Sequence, residues 1–578
     1  MAAGRSWPAT PARLRRSPSS RLTARPGASR LAASDLARAR HRDPDGERGS
    51  WWRHGVFYQI YPRSFQDSDG DGVGDLPGIT ARLNHLNDGT PGSLGIDAIW
   101  ISPFYRSPMA DFGYDVADYR DVDPRFGTLH DFDELLGQAH ERGIRVIVDL
   151  VPNHTSDQHP WFQEARSSLH NPKRDWYVWA DPKPDGSPPN GWRSVFKPVG
   201  PAWTLDKATG QYYLHLFLPQ QPDLNWWNPE VRTAMDEVMR FWLDRGADGF
   251  RVDVAAALVH DPRLREEPTA SGARRRWPRY WGLPDVHEIH RHWRKLLDAS
   301  GDHMAVGEVS NDPARRLVRY YGRNDELHLS FYFHFMQQPW KAGAFRRAVA
   351  EFEAALPEGT WPNYTLSNHD RPRAASRYGP GRARVAMMML LTLRGTPFIY
   401  YGEEIAMTDV PVPADRVVDV DGRDPERTPM QWDSSDGAGF TSGSPWLPIG
   451  PDSGTVNVER QRDDPASMLS FTRRLSWFRR SSAALRWGRF QAIGSSRTVF
   501  AFLREAPGER LLIALNFSET PRRLRLGSLA ATEPARLELS TDPARRPGAV
   551  DLRRLELGSN EGVVVRLRQR GNRWTADR

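Results

Sequence analysis

Eight short runs rich in β-branched and aromatic residues set the frame of this chain. They are VFYQIYPRSF from Val56, IDAIWISP from Ile96, IRVIVDLVPNH from Ile144, GFRVDVA from Gly249, MAVGEVS from Met304, LHLSFYF from Leu327, WPNYTLSNHD from Trp361 and PFIYYGEE from Pro397. Their starts lie 40, 48, 105, 55, 23, 34 and 36 residues apart. Most intervals carry a helical pattern, as from Leu129 to Arg142 and from Arg382 to Leu393. Near-continuous apolar strands are those buried on both faces, and their alternation with helices calls for a parallel sheet covered by helices. Eight such units predict a (β/α)8 barrel.

The interval of 105 residues breaks the rhythm and predicts an insertion after the third strand. The barrel is therefore assigned to residues 51–154 and 228–483, and an irregular Pro-, Trp- and Asp-rich subdomain over the barrel mouth to 155–227. From residue 484 to 578, runs such as TVFAFLRE, RLLIALNFS and EGVVVRLRQR read as a separate antiparallel β-sandwich domain.

The net charge of +7 would suggest a polyanionic partner, but residues 1–50 hold 11 Arg against 4 acids, 11 − 4 = +7, so the rest is neutral. That Arg-, Ala-, Ser- and Pro-rich tail has no apolar pattern and is expected to be disordered and dispensable; translation from an upstream start codon explains it better than a transit peptide. No nucleic-acid partner is expected. Without an apolar run of about 18 residues, no membrane partner is expected either. The absence of Cys excludes disulfides and thiolate metal sites. A cytoplasmic monomer or homodimer is the expectation.

The chemistry-bearing residues fall at strand ends, where such barrels keep their active sites. Asp149 and His154 follow the third strand, Arg251 and Asp253 lie on the fourth, Glu308 ends the fifth, and His369 and Asp370 end the seventh. Arg251 and Asp253 are two apart, so their side chains share one face of a strand. Alone, that is also how a structural ion pair looks. Carboxylates from several strands converging on one mouth exceed what Arg251 and the histidines would neutralise. Paired carboxylates over an aromatic-rich pocket suit glycoside hydrolysis without a catalytic cofactor. No P-loop, helix-opening GxGxxG or HExxH is present.

In order along the chain stand DLVPNH (Asp149–His154), QPDLNW (Gln221–Trp226), GFRVDVA, GEVS (Gly307–Ser310), LSNHD (Leu366–Asp370) and GRDPERTPMQW (Gly422–Trp432). With these motifs the chain resembles the α-amylase superfamily of glycoside hydrolases, within it the α-glucosidase and oligo-1,6-glucosidase branch, from Trp51 to about Gly488. The resemblance implies that Asp253 is the nucleophile, Glu308 the general acid and base, and Asp370 the third carboxylate, which grips sugar hydroxyls. Arg251 is then expected to keep Asp253 charged. His154 and His369 are implied to bond hydroxyls, and Tyr114 to stack on the sugar. Asp115 is implied to hold the outer hydroxyls in a pair with Arg423. Phe196, Phe217 and Gln221 match pocket positions, although packing alone would also account for Phe196.

The resemblance further implies a retaining, exo-acting α-glucosidase on maltose and short oligosaccharides. QPDLN belongs to a branch acting on short chains, Val254 points toward α-1,6 bonds, and RVDVA with PADRVVDVDGRDPERTPMQW points toward α-1,4 bonds, which is the reading taken. Oligo-1,6-glucosidases, trehalose synthases and sucrose-active enzymes share the scaffold.

A second acidic site spans Asp67 to Asp75. Asp67, Asp69, Asp71 and Asp75 occupy loop positions one, three, five and nine, Gly72 stands at six, and Val73 offers a carbonyl at seven. This reproduces the front of a calcium loop, while Gly78 replaces the closing Glu of an EF-hand. A structural Ca2+ or Mg2+ is expected, or else a bare Asp-Gly turn cluster.

Overall fold

The computed structural model describes residues 50–267, 281–309, 313–494, 496–524, 526 and 535–567. Residues 1–49, which hold nearly all of the expected tail, lie outside that range, as does Ser310 of the GEVS motif.

Each of the eight apolar runs contains one strand of a single parallel sheet: β1 Phe57–Ile60, β2 Ala98–Ile101, β3 Arg145–Leu150, β4 Gly249–Val252, β5 Met304–Gly307, β6 Leu329–Ser330, β7 Asn363–Thr365 and β8 Thr396–Tyr400. The hydrogen-bonded order is β6-β5-β4-β3-β2-β1-β8-β7, which follows the chain around a (β/α)8 barrel. β1 to β5, β7 and β8 are buried almost throughout, as two-sided strands must be.

Helices between the strands present one apolar face to the barrel. The clearest, Pro229–Arg245 (α1), starts where the Asn228 side chain accepts from the Glu230 N–H, with Pro at the first helical position, and stops at Gly246 with φ 109°. It buries Val231, Met235, Val238, Met239, Trp242 and Leu243 and delivers the chain directly into β4.

The insertion folds as expected into a small unit over the mouth. A helix at Pro160–Ser167 precedes a three-stranded antiparallel sheet of Trp179–Ala180, Gln211–Leu214 and Trp203–Asp206. Its core of Trp192, Phe196, Trp203, Leu214, Leu216 and Phe217 also takes in Val254 and Ala257 from the segment after β4. That shared packing fixes Phe196 and Phe217 of the insertion against the segment that follows β4.

At the C-terminal end, six antiparallel strands form one sheet, with a two-stranded ribbon (Arg522–Arg523 and Glu556–Leu557) completing the domain. The domain is not separate in its packing. Phe500, Phe502, Leu511, Ile513 and Leu515 belong to the barrel's own core, while Val499, Ala501, Leu512, Ala514, Val563 and Val565 face a second core with Leu552 and Leu557. Buried Arg504 ties the two regions by donating to the carbonyls of Thr392 (2.7 Å) and Leu485 (2.9 Å).

Candidate active site

Register brings the charged groups together. Asp149 on β3 pairs directly with Arg251 on β4, and Val252 pairs with Gly307, so Glu308 emerges one residue further on. Arg251, almost wholly buried, donates from Nη1 to both Asp149 oxygens (2.8 and 3.0 Å) and to Asp253 Oδ1 (2.7 Å). Its Nη2 donates to Glu308 Oε2. One guanidinium thus holds three carboxylates from three strands.

Arg251 acts on Asp253 in the expected direction, favouring its charged form, but its charge is shared among the three. Burial pushes the Asp253 carboxyl well above the usual range; Arg251 opposes this, while Glu308, Asp149 and Asp370 add to it. Burial likewise lifts Asp149 to about 6. One shared cation does not fully offset the burial of Asp149 and Asp253, and charge on either of these two disfavours charge on the other. Val254, next along, adopts φ 44°, a strained conformation for a β-branched residue of the kind that collects at working sites.

Across the mouth, Asp370 is held the other way. Burial works to raise its carboxyl, but His369 where it is protonated, and the permanent cations Arg423 and Arg427, outweigh it and hold the group below the ordinary range. Asp370 Oδ1 accepts from Arg423 Nη1 (3.1 Å) and Arg427 Nη2 (2.9 Å). Asp370 is therefore the carboxylate fixed as an anion.

Histidine and tyrosine connect the two groups. Gln59 Nε2 donates to His369 Nδ1 (2.9 Å), which leaves Nε2 to carry the proton toward the Tyr114 hydroxyl (2.7 Å), and Tyr114 in turn donates to Asp149 Oδ2 (3.1 Å). The Tyr114 and His369 rings stack at 5.3 Å. Burial lowers His369 well below its usual value and His154 to about 4, so both imidazoles are neutral near pH 7.

These residues surround a cavity of about 340 Å³. Asp253, Glu308 and Asp370 line it together with Tyr114, His154, Phe196, Phe217, His369 and Arg423. Arg251 and Gln221 lie behind the wall; Gln221 acts by donating to Asp111 Oδ2 (3.0 Å) and contacting His154 Nε2 (3.1 Å). Asp115 is the misplaced expectation. Its carboxylate is fully buried and accepts from Ser107 Oγ (2.9 Å) and the N–H groups of Ala110 (2.8 Å) and Asp111 (2.9 Å), which fixes the loop. The cavity-lining partner of Arg423 is Asp111, at 2.6 Å, and Asp419 completes the cage at 2.5 Å. The Arg423 guanidinium also lies 4.7 Å from the Phe196 ring centre.

Residues 59–488 match the family described as alpha amylase, catalytic domain. The chain belongs to the α-amylase family of glycoside hydrolases. It is 44% identical over 511 residues to a probable alpha-glucosidase of Rhizobium meliloti (strain 1021), with 82% of this chain and 90% of that protein covered. It is 39% identical over 528 residues to an oligo-1,6-glucosidase of Parageobacillus thermoglucosidasius, covering 82% and 92%. Among solved structures, an alpha-glucosyl transfer enzyme is 41% identical with a TM-score of 0.82, covering 90% of this chain and 99% of that one. No helix among the described residues is long and apolar enough to cross a membrane.

Arg427, Asp419, Asn368 and Asp111 are among the polar residues of this glycoside hydrolase's site that the sequence analysis does not single out. Arg427 stands inside the GRDPERTPMQW motif beside Arg423 and was open to discovery there. Asp419, four residues before Arg423, had the spacing of a local ion pair. Asn368 carried a weaker signal: it opens the turn whose Asp370 N–H bonds back to its side chain (3.0 Å). Asp111 had none, because its partner is 312 residues away.

The Asp67–Asp75 loop lies apart from these groups. Asp67, Asp69 and Asp71 bring carboxylate oxygens within 4.8 Å of one another, a donor set that fits a hard divalent cation. Asp75 is turned away as the cap of the helix Leu76–Ala81, accepting from Gly78 N (2.6 Å), Ser68 N (2.8 Å) and Ser68 Oγ (2.9 Å). Its expected place among the ligands is corrected to that of a helix cap.

Proposed function

We propose that the protein is a retaining, exo-acting α-glucosidase that removes single glucose units from the non-reducing end of maltose and short α-1,4-linked oligosaccharides. The observation that carries this reading is the Asp111–Arg423 pair, which is stacked on Phe196 and bonded to Asp370 at one wall of the cavity. An ion pair there bars a longer chain and offers charged hydrogen-bond partners to the outer hydroxyls of one terminal sugar.

In the first step the Asp253 carboxylate attacks the anomeric carbon, the glycosidic C–O bond breaks, and the Glu308 proton passes to the leaving oxygen. Water then attacks the same carbon, gives its proton to Glu308, and the bond to Asp253 breaks. Retention requires the two carboxyls about 5–5.5 Å apart, and their bonding to the two Nη atoms of one guanidinium supports that spacing. Tyr114 offers a ring face to the sugar, while His154 and His369, both neutral, can bond its hydroxyls. Asp370, fixed as an anion, supports the positive charge that develops on the ring.

Proton NMR of the first turnovers, run on maltose, isomaltose, sucrose and trehalose, is the test. The expected result is α-glucose released before mutarotation, fastest from maltose. β-Glucose first, or rapid internal cleavage of soluble starch, would overturn the reading; faster turnover of isomaltose would move it to α-1,6 bonds. We also propose that Asp67, Asp69 and Asp71, with the Val73 carbonyl, hold a structural Ca2+ or Mg2+ ion that takes no part in the chemistry.

A further inference from the structure

The cations around the cavity are not all alike. Arg423 is enclosed by Asp111, Asp370 and Asp419. Arg251 and Arg427, behind the wall, are bonded to carboxylates in the same way. Arg371 is different: it lines the cavity, is exposed, and its guanidinium makes no side-chain hydrogen bond or ion pair among the described residues.

Its position is fixed by the backbone. Asn368 and Arg371 form an isolated antiparallel bridge, with the Arg371 N–H donating to the Asn368 carbonyl (3.3 Å) while the Asn368 side chain accepts from the Asp370 N–H (3.0 Å). This tight turn is one device with two products. It presents Asp370 to the arginine cage and the next residue, Arg371, to the cavity. Asp421, from the loop that carries Arg423, also lines the cavity and is near enough to feel the Arg371 charge, while Val195, Trp281 and Phe333 add apolar lining.

A hexose has apolar faces and a rim of vicinal hydroxyls, so it fits between a wall of that kind and a guanidinium fork. A guanidinium donates in a planar fork to paired oxygens, which a primary amine cannot reproduce. We propose that Arg371, with Asp421, forms the subsite that grips the hydroxyls of the leaving-group sugar, and so is a specificity-determining positioning residue for the bond that is cut. This rests on the α-glucosidase reading above and adds to it the preference for a sugar, rather than any small leaving group, next to the scissile bond.

The test compares two donors: the best disaccharide substrate from the panel, and α-glucosyl fluoride, whose leaving group cannot reach Arg371. Arg371→Ala is expected to lower the ratio of kcat/KM on the disaccharide to that on the fluoride by about tenfold, the scale of the net contribution of one hydrogen bond. Arg371→Lys is expected to restore only part of the ratio, and Asp421→Asn to lower it in the same direction. The loss for Arg371→Ala should fall mainly in KM for the disaccharide. A ratio that stays within about twofold of wild type, or one fully restored by Lys, would overturn the inference. Wild-type protein that does not hydrolyse the fluoride would instead overturn the α-glucosidase reading, so the two failures are told apart.

Discussion

Two clusters of carboxylates in this protein, built from the same residue types, are neutralised in opposite ways. At the cavity, Asp111, Asp149, Asp253, Glu308, Asp370 and Asp419 are countered by Arg251, Arg423 and Arg427, whose buried side chains come from distant strands and loops. Among the described residues no arginine pairs with a carboxylate of the Asp67–Asp75 loop. Asp67 is instead bonded by the N–H groups of Asp69, Gly70 and Gly72 and by Thr441, and Asp69 and Asp71 remain exposed. A charge balanced internally fixes geometry and shifts protonation, whereas a charge left open to solvent has oxygens free for an ion. The first arrangement suits the chemistry proposed for it, and the second suits the structural ion proposed for it.

The comparison breaks most sharply at the three lining carboxylates. Asp253→Asn, Glu308→Gln and Asp370→Asn are each expected to reduce kcat by about 10³-fold or more with little change in melting temperature, since groups that act as a unit show their full effect singly. Steady-state kinetics on purified, folded variants checks this. A variant with near-wild-type turnover would remove its residue from the chemistry. Asp69→Asn, in the other cluster, should leave kcat on the best substrate within about twofold.

The arginine cage gives the next largest effect. Removing Arg423 leaves Asp111 buried without its paired cation and Asp419 with only the more distant Arg427, and breaking a buried ion pair from one side destabilises by about 3–5 kcal/mol. Arg423→Ala should therefore unfold at distinctly lower denaturant and also raise KM. Asp115→Asn should leave the Arg423 pairs intact and lose only loop hydrogen bonds, about 1–3 kcal/mol. Paired denaturation curves distinguish them. Equal kinetic effects of the two variants would restore Asp115 to the site and remove the special place given to Asp111.

Much of this was visible in the sequence. Each barrel strand lay inside an apolar run because burial on both faces leaves little choice of residue. Asp253, Glu308 and Asp370 were legible because strand ends can be counted from those runs. What could not be read was the choice between neighbours in one loop. Asp111 and Asp115 are four residues apart, and which of them meets Arg423 depends on backbone geometry, with positive φ at Met109 and Phe112, that composition does not encode. The docking of the C-terminal sheet leaves a trace in the sequence. In VFAFL successive residues are all apolar, which calls for cover on both faces, and the second cover is the barrel itself.

The smallest effects lie inside the Asp67–Asp75 loop, where the two halves of the motif have separated. Asp71 is exposed and its carboxylate belongs to the open cluster, while Asp75 caps a helix. If the loop holds an ion, its contribution to stability follows the free-ion concentration and vanishes in chelator, about 2.7 kcal/mol at a hundred times the dissociation constant. Asp71→Asn should therefore lower the melting temperature in added Ca2+ and match wild type in chelator. Asp75→Ala should lose about 1 kcal/mol as a missing cap in either condition, because two of its oxygen's bonds go to Ser68 and one to Gly78 whether or not an ion is bound. Calorimetric melting of wild type and both variants, each with Ca2+ and with chelator, makes the distinction. An Asp71→Asn shift of equal size in chelator would mean that the open cluster is only a turn, and the contrast between the two carboxylate clusters would then reduce to one of burial.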